Sequence, residues 1–382
     1  MSIPTRKNKF RRLRYGLFSI ALCLTAILIL HSQPSLLPQA KDSVVVIAGK
    51  QYSGISLFQQ LLMGKNYRRS WRETVRLPVF YFSKSGYTII ELGGGKQTKS
   101  LRLRDKNGQI WVLRTVNKDV TPAVPKWLHG SPFHRFKQDL ISADHPYGAI
   151  IVAGLLQTVR ITAPDPVFYF IADEEALGVY RSLFGGTVCM LENYAPTKDG
   201  LETLSTENII EKIKEKNNYI MQKELLKLRI VDMLVGDWDR HAAQYRWGAA
   251  TSGSDIYFYP IPRDRDHALF YTNGVLPKIL ELKAMPYLGG SKKGSNNFIK
   301  LNKKTLLFDR QFLNGLTEED WTNITETVQK EMSNTAIETA INRLPAEIAA
   351  IDGVAIKERL SARRDRLLAN VMNYYYFLSQ SK

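Results

Sequence analysis

The chain has 382 residues, of which 44% are hydrophobic and 23% are charged. This composition excludes a disordered or fibrous protein, and the length suffices for two lobes or two domains with buried cores. The formal charge of +17 and the pI near 9.7 suit an anionic partner such as phosphate or phospholipid, while the absence of a zinc-finger, basic-zipper or RNA-binding signature makes nucleic acid an unexpected partner.

The N-terminus combines a basic tail with an apolar segment. Residues 1–14 are rich in lysine and arginine, and residues 15–31 carry no charged side chain. This layout predicts a signal anchor or signal peptide, and the lack of a clear small-residue cleavage site favours an uncleaved single-pass anchor. The positive-inside rule then places the remainder in the periplasm, held at a bacterial inner membrane. Residues 32–43 are the expected linker, and no disulfide framework is expected because Cys23 lies in the apolar segment.

A glycine-rich hairpin is predicted near the start of the folded region. Residues 87–92 and 101–104 have strand patterns. Asn107-Gly108 then signals a tight turn before a third strand over 109–116. In the loop between the first two strands, backbone amides can approach phosphate oxygens, with hydroxyls and a lysine as further donors. The expected nucleotide-binding residues are Gly93, Gly94, Gly95, Lys96, Thr98 and Ser100 in the loop, with Arg114 and Lys118 after it.

Further strands and helices are predicted after this hairpin and before it. Residues 71–82 have an extended pattern, and Pro78 within them favours an edge strand. A polar stretch containing Pro196 marks a lobe boundary, with an N-lobe over 44–195 and a C-lobe over 196–382. Within the N-lobe, helices are predicted over 136–149 and 150–159, and strands over 167–171 and 187–192.

The C-lobe is predicted to be mostly helical. Apolar residues recur at helical spacing over 207–235, with a break near Asn217 and an end at Gly236. Residues 271–304 are rich in Gly, Asn and Lys and are predicted to be irregular. The remaining helices are expected from Thr317, over 321–342 and over 354–379.

Two acidic clusters lie in the C-lobe, the first at residues 237–241 and the second at residues 264–267. Kinase-type phosphoryl transfer uses one carboxylate that orients the attacking hydroxyl and takes its proton. It uses further oxygen ligands, one of them five residues after that carboxylate, to hold the metal. The two clusters match this pattern, since an amide follows an aspartate of the first cluster at that spacing. The catalytic residue is expected to be Asp239, and the metal ligands Asp264, Gln244 and Asp266.

These motifs resemble a family of bacterial envelope proteins and, through it, an atypical kinase group. The group includes the CotH spore-coat kinases, the secretory-pathway kinases, the HipA-type kinases and the phosphatidylinositol 4-kinases. The resemblance implies an α+β, two-lobed protein-kinase-like domain with an antiparallel sheet in the N-lobe and a mostly helical C-lobe, preceded by one membrane segment. It also implies ATP and magnesium, or manganese in its place. The sequences that carry it are LGGGKQTKSLRL (92–103), GDWDRHAAQYRW (236–247) and YFYPIPRDRDHALF (257–270).

The chain departs from the family pattern at the phosphate-binding cation and at one metal ligand. Gln244 stands where Asn is commoner. The strand lysine that pairs with phosphates is Arg114 here, unless Lys118 takes the role. Two acids are candidates to pair with this cation, Asp139 and Glu192.

Two other functions stay open from the sequence. One is a metal-dependent phosphoesterase, whose two-metal site would draw on Asp237, Asp239, His241, Asp264, Asp266 and His267. The other is a non-catalytic pseudokinase or scaffold at the membrane, in which the acids pair with Arg240, Arg263 and Arg265. Under the leading hypothesis, the partners are a nucleotide, an unidentified phosphate acceptor and, through the N-terminal segment, the membrane.

Overall fold

A large sheet organises the first half of the chain. In the computed structural model of this protein, the residues described are 42–94, 97–197, 202–283, 285–287 and 297–380. The strands of this sheet are β1 (Ser43–Ile47), β2 (Thr74–Phe80), β3 (Thr88–Gly93), β4 (Ser100–Arg104), β5 (Ile110–Thr115), β6 (Val167–Ile171) and β7 (Val188–Asn193).

The spatial order of these strands is β1-β2-β6-β7-β5-β4-β3. Neighbouring strands run antiparallel except β2 and β6, which are parallel. The antiparallel sheet expected from the sequence is therefore mixed. A parallel pair needs a long crossover connection, and the 86 residues between Phe80 and Val167 provide one.

Strand β2 lies inside the sheet, so the edge position predicted from Pro78 is wrong. Pro78 pairs with Ser43 at the start of β1. The contact of β2 with β6 involves only Val79 and Phe80. Because Pro78 precedes that contact, its missing N–H removes no hydrogen bond from the β2–β6 ladder.

In the described part of the chain, six α-helices lie among the strands of the first half. They are α1 (Leu57–Met63), α2 (Arg68–Arg72), α3 (Phe82–Ser85), α4 (Pro132–Leu140), α5 (Gly148–Thr158) and α6 (Arg181–Phe184). Ser131 caps α4, and Pro132 occupies its first turn, where no N–H partner is required. The single helix predicted over 136–149 is thus α4, a short 3-10 turn and a non-helical link up to Tyr147. This link carries Asp144.

A smaller sheet begins the second half. Its strands are β8 (Leu204–Ser205), β9 (Asn218–Ile220), β10 (Tyr245–Ser252) and β11 (Asp255–Pro262), in the spatial order β8-β10-β11-β9. Two helices lie between β8 and β10, α7 (Thr206–Lys212) and α8 (Gln222–Val235). The break predicted near Asn217 is confirmed, because β9 separates α7 from α8. The predicted end of α8 is also confirmed, since Gly236 adopts the left-handed conformation with φ 69°.

Helices fill the remainder of the chain. They are α9 (Val275–Lys283), α10 (Phe298–Leu301), α11 (Leu306–Phe312), α12 (Glu318–Glu331), α13 (Asn334–Ile341), α14 (Ala346–Arg364) and α15 (Leu367–Ser379). The irregular structure predicted over 271–304 is wrong in part, because apolar residues over 275–282 form α9. Thr317 opens α12 as predicted, through a capping box with Asp320.

The main core joins the sheet to the helices. Ile230, Val231 and Leu234 of α8 are fully buried, as expected for a helix packed on several sides. Helix α5 packs against α8 and α13 although it lies between β5 and β6 in the chain. The protein is thus a mixed α+β structure with a sheet-rich first half and a helical C-terminal region, and the lobe boundary near Pro196 stays a prediction.

The N-terminal membrane segment predicted over 15–31 lies outside the described residues. Within the described ranges, no helix combines the length and the apolar character that crossing a bilayer requires.

Candidate functional site

The hairpin of β3 and β4 brings its loop next to the second acidic cluster. Gly93 and Ser100 form the last pair of this hairpin. Gly94 has φ 117°, and a Cβ atom there would lie 2.4 Å from the Thr98 carbonyl oxygen, so the tight loop requires glycine. The Thr98 hydroxyl donates a hydrogen bond of 3.3 Å to Asp266. Of the other predicted loop residues, Gly95 and Lys96 lie outside the described residues.

Strand β5 presents Arg114 to the same cluster. Its guanidinium lies 3.2 Å from the Asp264 carboxylate and 4.0 Å from that of Glu192 on β7. The Arg114 Nε atom is buried and makes no hydrogen bond within the described structure. Arg114 is therefore a buried cation whose main partner is one of the predicted metal ligands.

Lys118, just after β5, is the second cation. Its ammonium lies 3.0 Å from Asp144 and 3.4 Å from Asp266. The other oxygen of Asp144 lies 2.8 Å from Nδ1 of His267. Asp144 was not predicted as a site residue, because it lay within the helix predicted over 136–149. The structure thus brings both predicted cations to the acidic cluster.

The two acids proposed as partners of the strand cation behave differently. Asp139 forms a two-point ion pair with Arg68 and does not contact Arg114. Glu192 lies near Arg114 and is buried, and burial raises the pKa of Glu192 to about 7 although Arg114 acts against this. The carboxylate that holds Lys118 is instead Asp144.

The loop after α8 carries Asp239. Gly236 ends the helix, and Asp239 follows three residues later with about a quarter of its side chain exposed. The Lys304 ammonium donates a 2.7 Å hydrogen bond to Asp239. Burial would raise the pKa of Asp239, but Lys304 and the His267 imidazole together lower it. Lys304 was missed because it lies in a stretch predicted to be irregular.

Gln244 and Asp264, two of the predicted metal ligands, are in contact. The Gln244 side-chain amide donates a 3.2 Å hydrogen bond to Asp264 Oδ2. Burial opposes ionisation of Asp264, but Arg114 and Lys118 outweigh it and hold the pKa of Asp264 well below its usual range. Asp264 has φ 54°, an uncommon conformation for a residue with a side chain.

Arg240 fixes the spacing of these residues. Its guanidinium donates hydrogen bonds to the carbonyl oxygens of Arg263 (2.7 Å), Asp264 (2.9 Å) and Gln244 (3.1 Å). The loop of Asp239 and the segment of Asp264 are therefore tied through backbone atoms. We call the residues around this junction the cleft cluster: Arg114, Lys118, Asp144, Asp239, Gln244, Asp264, Asp266, His267 and Lys304.

A second ionic group lies behind the cleft cluster. We call it the buried network, and its members are Arg229, Asp232, Asp237, Arg240, Arg265 and Asp309. Asp237, which the phosphoesterase hypothesis needed as a ligand, lies 3.3 Å from Arg265 and is almost fully buried. Among the described residues, no group of three His, Cys, Asp or Glu side chains is placed to hold a metal. In the described residues Asp237 is thus engaged by an arginine, and the two-metal alternative stays a prediction without support from this arrangement.

The arginines assigned to the scaffold alternative are divided. Arg240 and Arg265 pair with Asp237, as that alternative predicted. Arg263 instead lies 4.1 Å from the centre of the Tyr194 ring, in a cation–π contact.

An open cleft of about 750 Å³ is lined by Trp238, His267 and Lys304, and Lys304 connects it to Asp239. Trp238 lies between the rings of His267 (4.2 Å) and Tyr287 (4.6 Å), and the Lys304 ammonium lies 4.4 Å from its ring centre. Trp238 is therefore a packed residue in the wall of the cleft. Helix α4 forms the opposite side of the cleft.

Comparisons with known proteins give likenesses of structure only. No protein family model matches the chain, and no curated protein matches it. The proinflammatory kinase CtkA of Helicobacter pylori is 10% identical, with a TM-score of 0.42 over 78% of this chain and 99% of its own. HipA of Shewanella oneidensis MR-1, solved with HipB and operator DNA, is 12% identical, with a TM-score of 0.35 over 90% of this chain and 75% of its own.

A third solved structure is the Rio2 kinase of Chaetomium thermophilum, described as an ADP/Mg²⁺–phosphoaspartate complex. It is 13% identical, with a TM-score of 0.29 over 76% of this chain and 71% of its own. The structural neighbours are thus kinase-like and share little sequence with this chain.

Proposed function

We propose that this protein is a kinase-like phosphotransferase that uses ATP and magnesium. The observation that carries the proposal is the convergence of three distant segments on one acidic cluster. The glycine hairpin reaches Asp266 through Thr98, the cations Arg114 and Lys118 reach Asp264 and Asp266, and Gln244 reaches Asp264. These are the elements that phosphoryl transfer from a nucleotide requires.

The cations explain how the site would accept phosphate. Arg114 and Lys118 are both largely buried, so a phosphate beside them meets a fixed positive charge in a medium of low dielectric constant. The tight loop at Gly94 holds backbone close to Thr98, as expected for a loop that covers phosphates. The phosphates of a bound nucleotide would pair with Arg114 and Lys118 and so replace the present ion pairs with Asp264 and Asp266.

Once phosphates pair with the two cations, the carboxylates of Asp264 and Asp266 become available to bind a metal ion. Asp264, Asp266 and the Gln244 amide offer hard oxygen donors of the kind that magnesium prefers, and Asp264 and Gln244 are in contact. These residues fit the ion and would hold it. When bound, magnesium neutralises charge on the phosphates.

Asp239 is the proposed base. Its carboxylate is partly exposed and pairs with Lys304, which lines the cleft. The pKa of Asp239 lies below its ordinary value, so the carboxylate is ionised at neutral pH and can accept a hydrogen bond from an attacking hydroxyl and orient it. Lys304 neutralises the same carboxylate from the side of the cleft. The acceptor enters from this cleft in the proposal, and its identity stays open.

A nucleotide-binding scaffold without transfer is the second candidate. It is favoured by the ion pairs themselves, since each of Asp264 and Asp266 already has a cation within 3.4 Å. The inner-membrane anchor and the periplasmic location also stay proposals, which rest on residues 1–31 of the sequence.

The unfolding midpoint of the full chain tests nucleotide binding. We expect ATP with magnesium to raise the midpoint by a few degrees, because a ligand that binds the folded state stabilises it. Asp264→Ala should abolish the metal-dependent part of this shift. Asp173→Ala is the matched control, since Asp173 forms an exposed ion pair with Arg181 outside the cleft cluster.

The outcomes separate the candidates. A metal-dependent shift together with phosphate transfer that Asp239→Asn removes supports the phosphotransferase. A shift without transfer to any acceptor, including water, favours the scaffold. The absence of a shift with any nucleotide contradicts both.

A further inference from the structure

Two neighbouring helices present apolar side chains to solvent. Helix α1 exposes Leu57 (83%), Phe58 (73%) and Leu61, and helix α9 exposes Val275, Ile279 and Leu282 (74%). Side chains of this size are usually buried, and a continuous group of them marks an interaction site. We call these six side chains the apolar face.

The two helices form one surface. Helices α1 and α9 pack against each other, and the backbone N–H of Lys65 donates a 2.8 Å hydrogen bond to the Asn273 side chain. A Cβ atom on Gly274 would lie 2.3 Å from the Met63 carbonyl carbon, so the chain approaches closely where α1 ends and α9 begins. The two helices that carry the apolar face are therefore in direct contact.

Helix α9 is apolar on both sides. Pro277 is buried, and Leu280 packs against Phe270 at the wall of the cleft. Val275, Ile279 and Leu282 have the spacing i, i+4 and i+7, which forms a second stripe on the solvent side. A helix with apolar residues on both sides is ordinarily covered on both, yet in the described structure Val275 (46%), Ile279 (45%) and Leu282 (74%) keep a large part of their surface exposed.

The charges beside the apolar face indicate its partner. Lys278 and Lys283 are exposed on α9, with the partly exposed Glu281 between them, and Lys65 is exposed just after α1, so the basic side chains outnumber the acidic one. Lysine at such positions can lay its carbon chain along apolar atoms while the ammonium reaches an anionic group. The whole chain carries a formal charge of +17, so an anionic surface attracts it from a distance.

We propose that the apolar face inserts into the headgroup region of an anionic lipid bilayer. Large apolar side chains flanked by lysines are the pattern of helices that lie in a membrane interface. Each lysine near an anionic surface adds attraction that a neutral lipid does not provide. The cleft opens beside this face, because Met285 and Tyr287, which line it, follow α9 directly.

Site-specific fluorescence in the full chain tests this insertion. An environment-sensitive dye would be attached at Leu61→Cys or Leu282→Cys in a Cys23→Ser background, in which the remaining Cys189 is buried. Val179→Cys is the matched control, since Val179 is equally apolar and 84% exposed on another part of the surface. The readout is quenching of the dye by brominated acyl chains in vesicles of phosphatidylglycerol and phosphatidylcholine.

We expect strong quenching at positions 61 and 282, little at position 179, and a clear decrease in vesicles of phosphatidylcholine alone. An attachment of the chain to vesicles through other residues leaves positions 61 and 282 unquenched and overturns the proposal. A spectral change at these positions that grows with protein concentration without vesicles also overturns it, in favour of a second copy of the chain. Phe58→Cys and Ile279→Cys replace either labelled variant whose unfolding midpoint is lowered.

Discussion

The cleft cluster and the buried network are built from similar side chains and differ in exposure. In the buried network, Arg229 and Asp232 are fully enclosed and pair with each other at 2.8 Å. In the cleft cluster, 28% of the Asp264 side chain and 24% of the Asp239 side chain are exposed. Exposure decides what an ionic group can do, because a ligand can replace one partner only where it can reach the pair.

One short segment serves both groups. Asp264 and Asp266 face Arg114 and Lys118 in the cleft cluster, while Arg265 between them faces Asp232 in the buried network. The buried side anchors the segment, and the exposed side offers two carboxylates to a ligand. A sequence of alternating Asp and Arg therefore has two separate uses here.

The largest expected effect is on transfer activity in the cleft cluster. Asp239→Asn should lower phosphate transfer by about 10²–10⁴-fold, because the amide cannot accept the proton of the acceptor hydroxyl. The rise in unfolding midpoint with ATP and magnesium should persist, because in the described structure Asp239 does not contact Arg114 or Lys118, the two cations proposed to bind the nucleotide. Unchanged transfer in this variant, measured by release of labelled phosphate to the acceptor or to water, would rule out Asp239 as the base.

The next effect is on stability in the buried network. Asp232→Ala should lower the free energy of unfolding by about 3–5 kcal/mol, because it removes the carboxylate that the buried guanidinium groups of Arg229 and Arg265 share and leaves each with a single acidic partner, Asp309 and Asp237 respectively. Urea titration measures the change. Asp165→Ala is the control, because its exposed pair with Arg343 should contribute only about 0–1 kcal/mol. Equal losses in the two variants would contradict the distinction between buried and exposed pairs.

Glu192 sharpens the comparison because it is buried and only loosely paired. Its pKa is raised to about 7 in the folded protein, so its contribution to stability is present below about pH 4.5 and is lost as pH rises through about 7. Glu192→Gln should therefore remove about 1–3 kcal/mol of the loss in unfolding free energy that the wild type shows between about pH 5 and pH 8. If the unfolding free energies of the wild type and the variant change with pH in parallel, ionisation of Glu192 does not lower the stability of the folded protein, which contradicts the prediction.

The smallest effect concerns Lys304. Lys304→Ala removes the ammonium that lowers the pKa of Asp239, so the acidic limb of the pH–activity profile should move to higher pH. The unfolding midpoint should change little, because the pair is partly exposed. Lys304→Arg serves as the control that keeps the charge. If Lys304→Ala leaves the pH–activity profile unchanged, Lys304 does not influence the ionisation of Asp239 during transfer.

The elements with strong local signals could be predicted from the sequence. The glycine hairpin, the strand over 167–171 and the end of α8 at Gly236 follow from alternation, turn residues and a C-terminal glycine. The α9 helix was missed because the surrounding glycines and lysines suggested irregular structure.

Partners of charged side chains could not be predicted in the same way. Asp139 and Asp144 are five residues apart in the sequence, and α4 ends between them at Leu140. Asp139 pairs with Arg68, whereas Asp144 pairs with Lys118. Likewise, nothing in the spacing showed that Asp237 would be buried while Asp239 reaches the cleft. Such outcomes depend on tertiary packing, which local patterns do not contain.

The hydrogen bonds of Arg240 have a mechanical consequence. One guanidinium donates hydrogen bonds to the carbonyl oxygens of Arg263, Asp264 and Gln244. These bonds hold the loop of Asp239 and the segment of Asp264 in one fixed arrangement. The hairpin is joined to this arrangement at Asp266 by the 3.3 Å hydrogen bond from Thr98. Separation of the glycine loop from these two segments would therefore cost the Thr98–Asp266 hydrogen bond, whereas separation of the two segments from each other would cost those of Arg240.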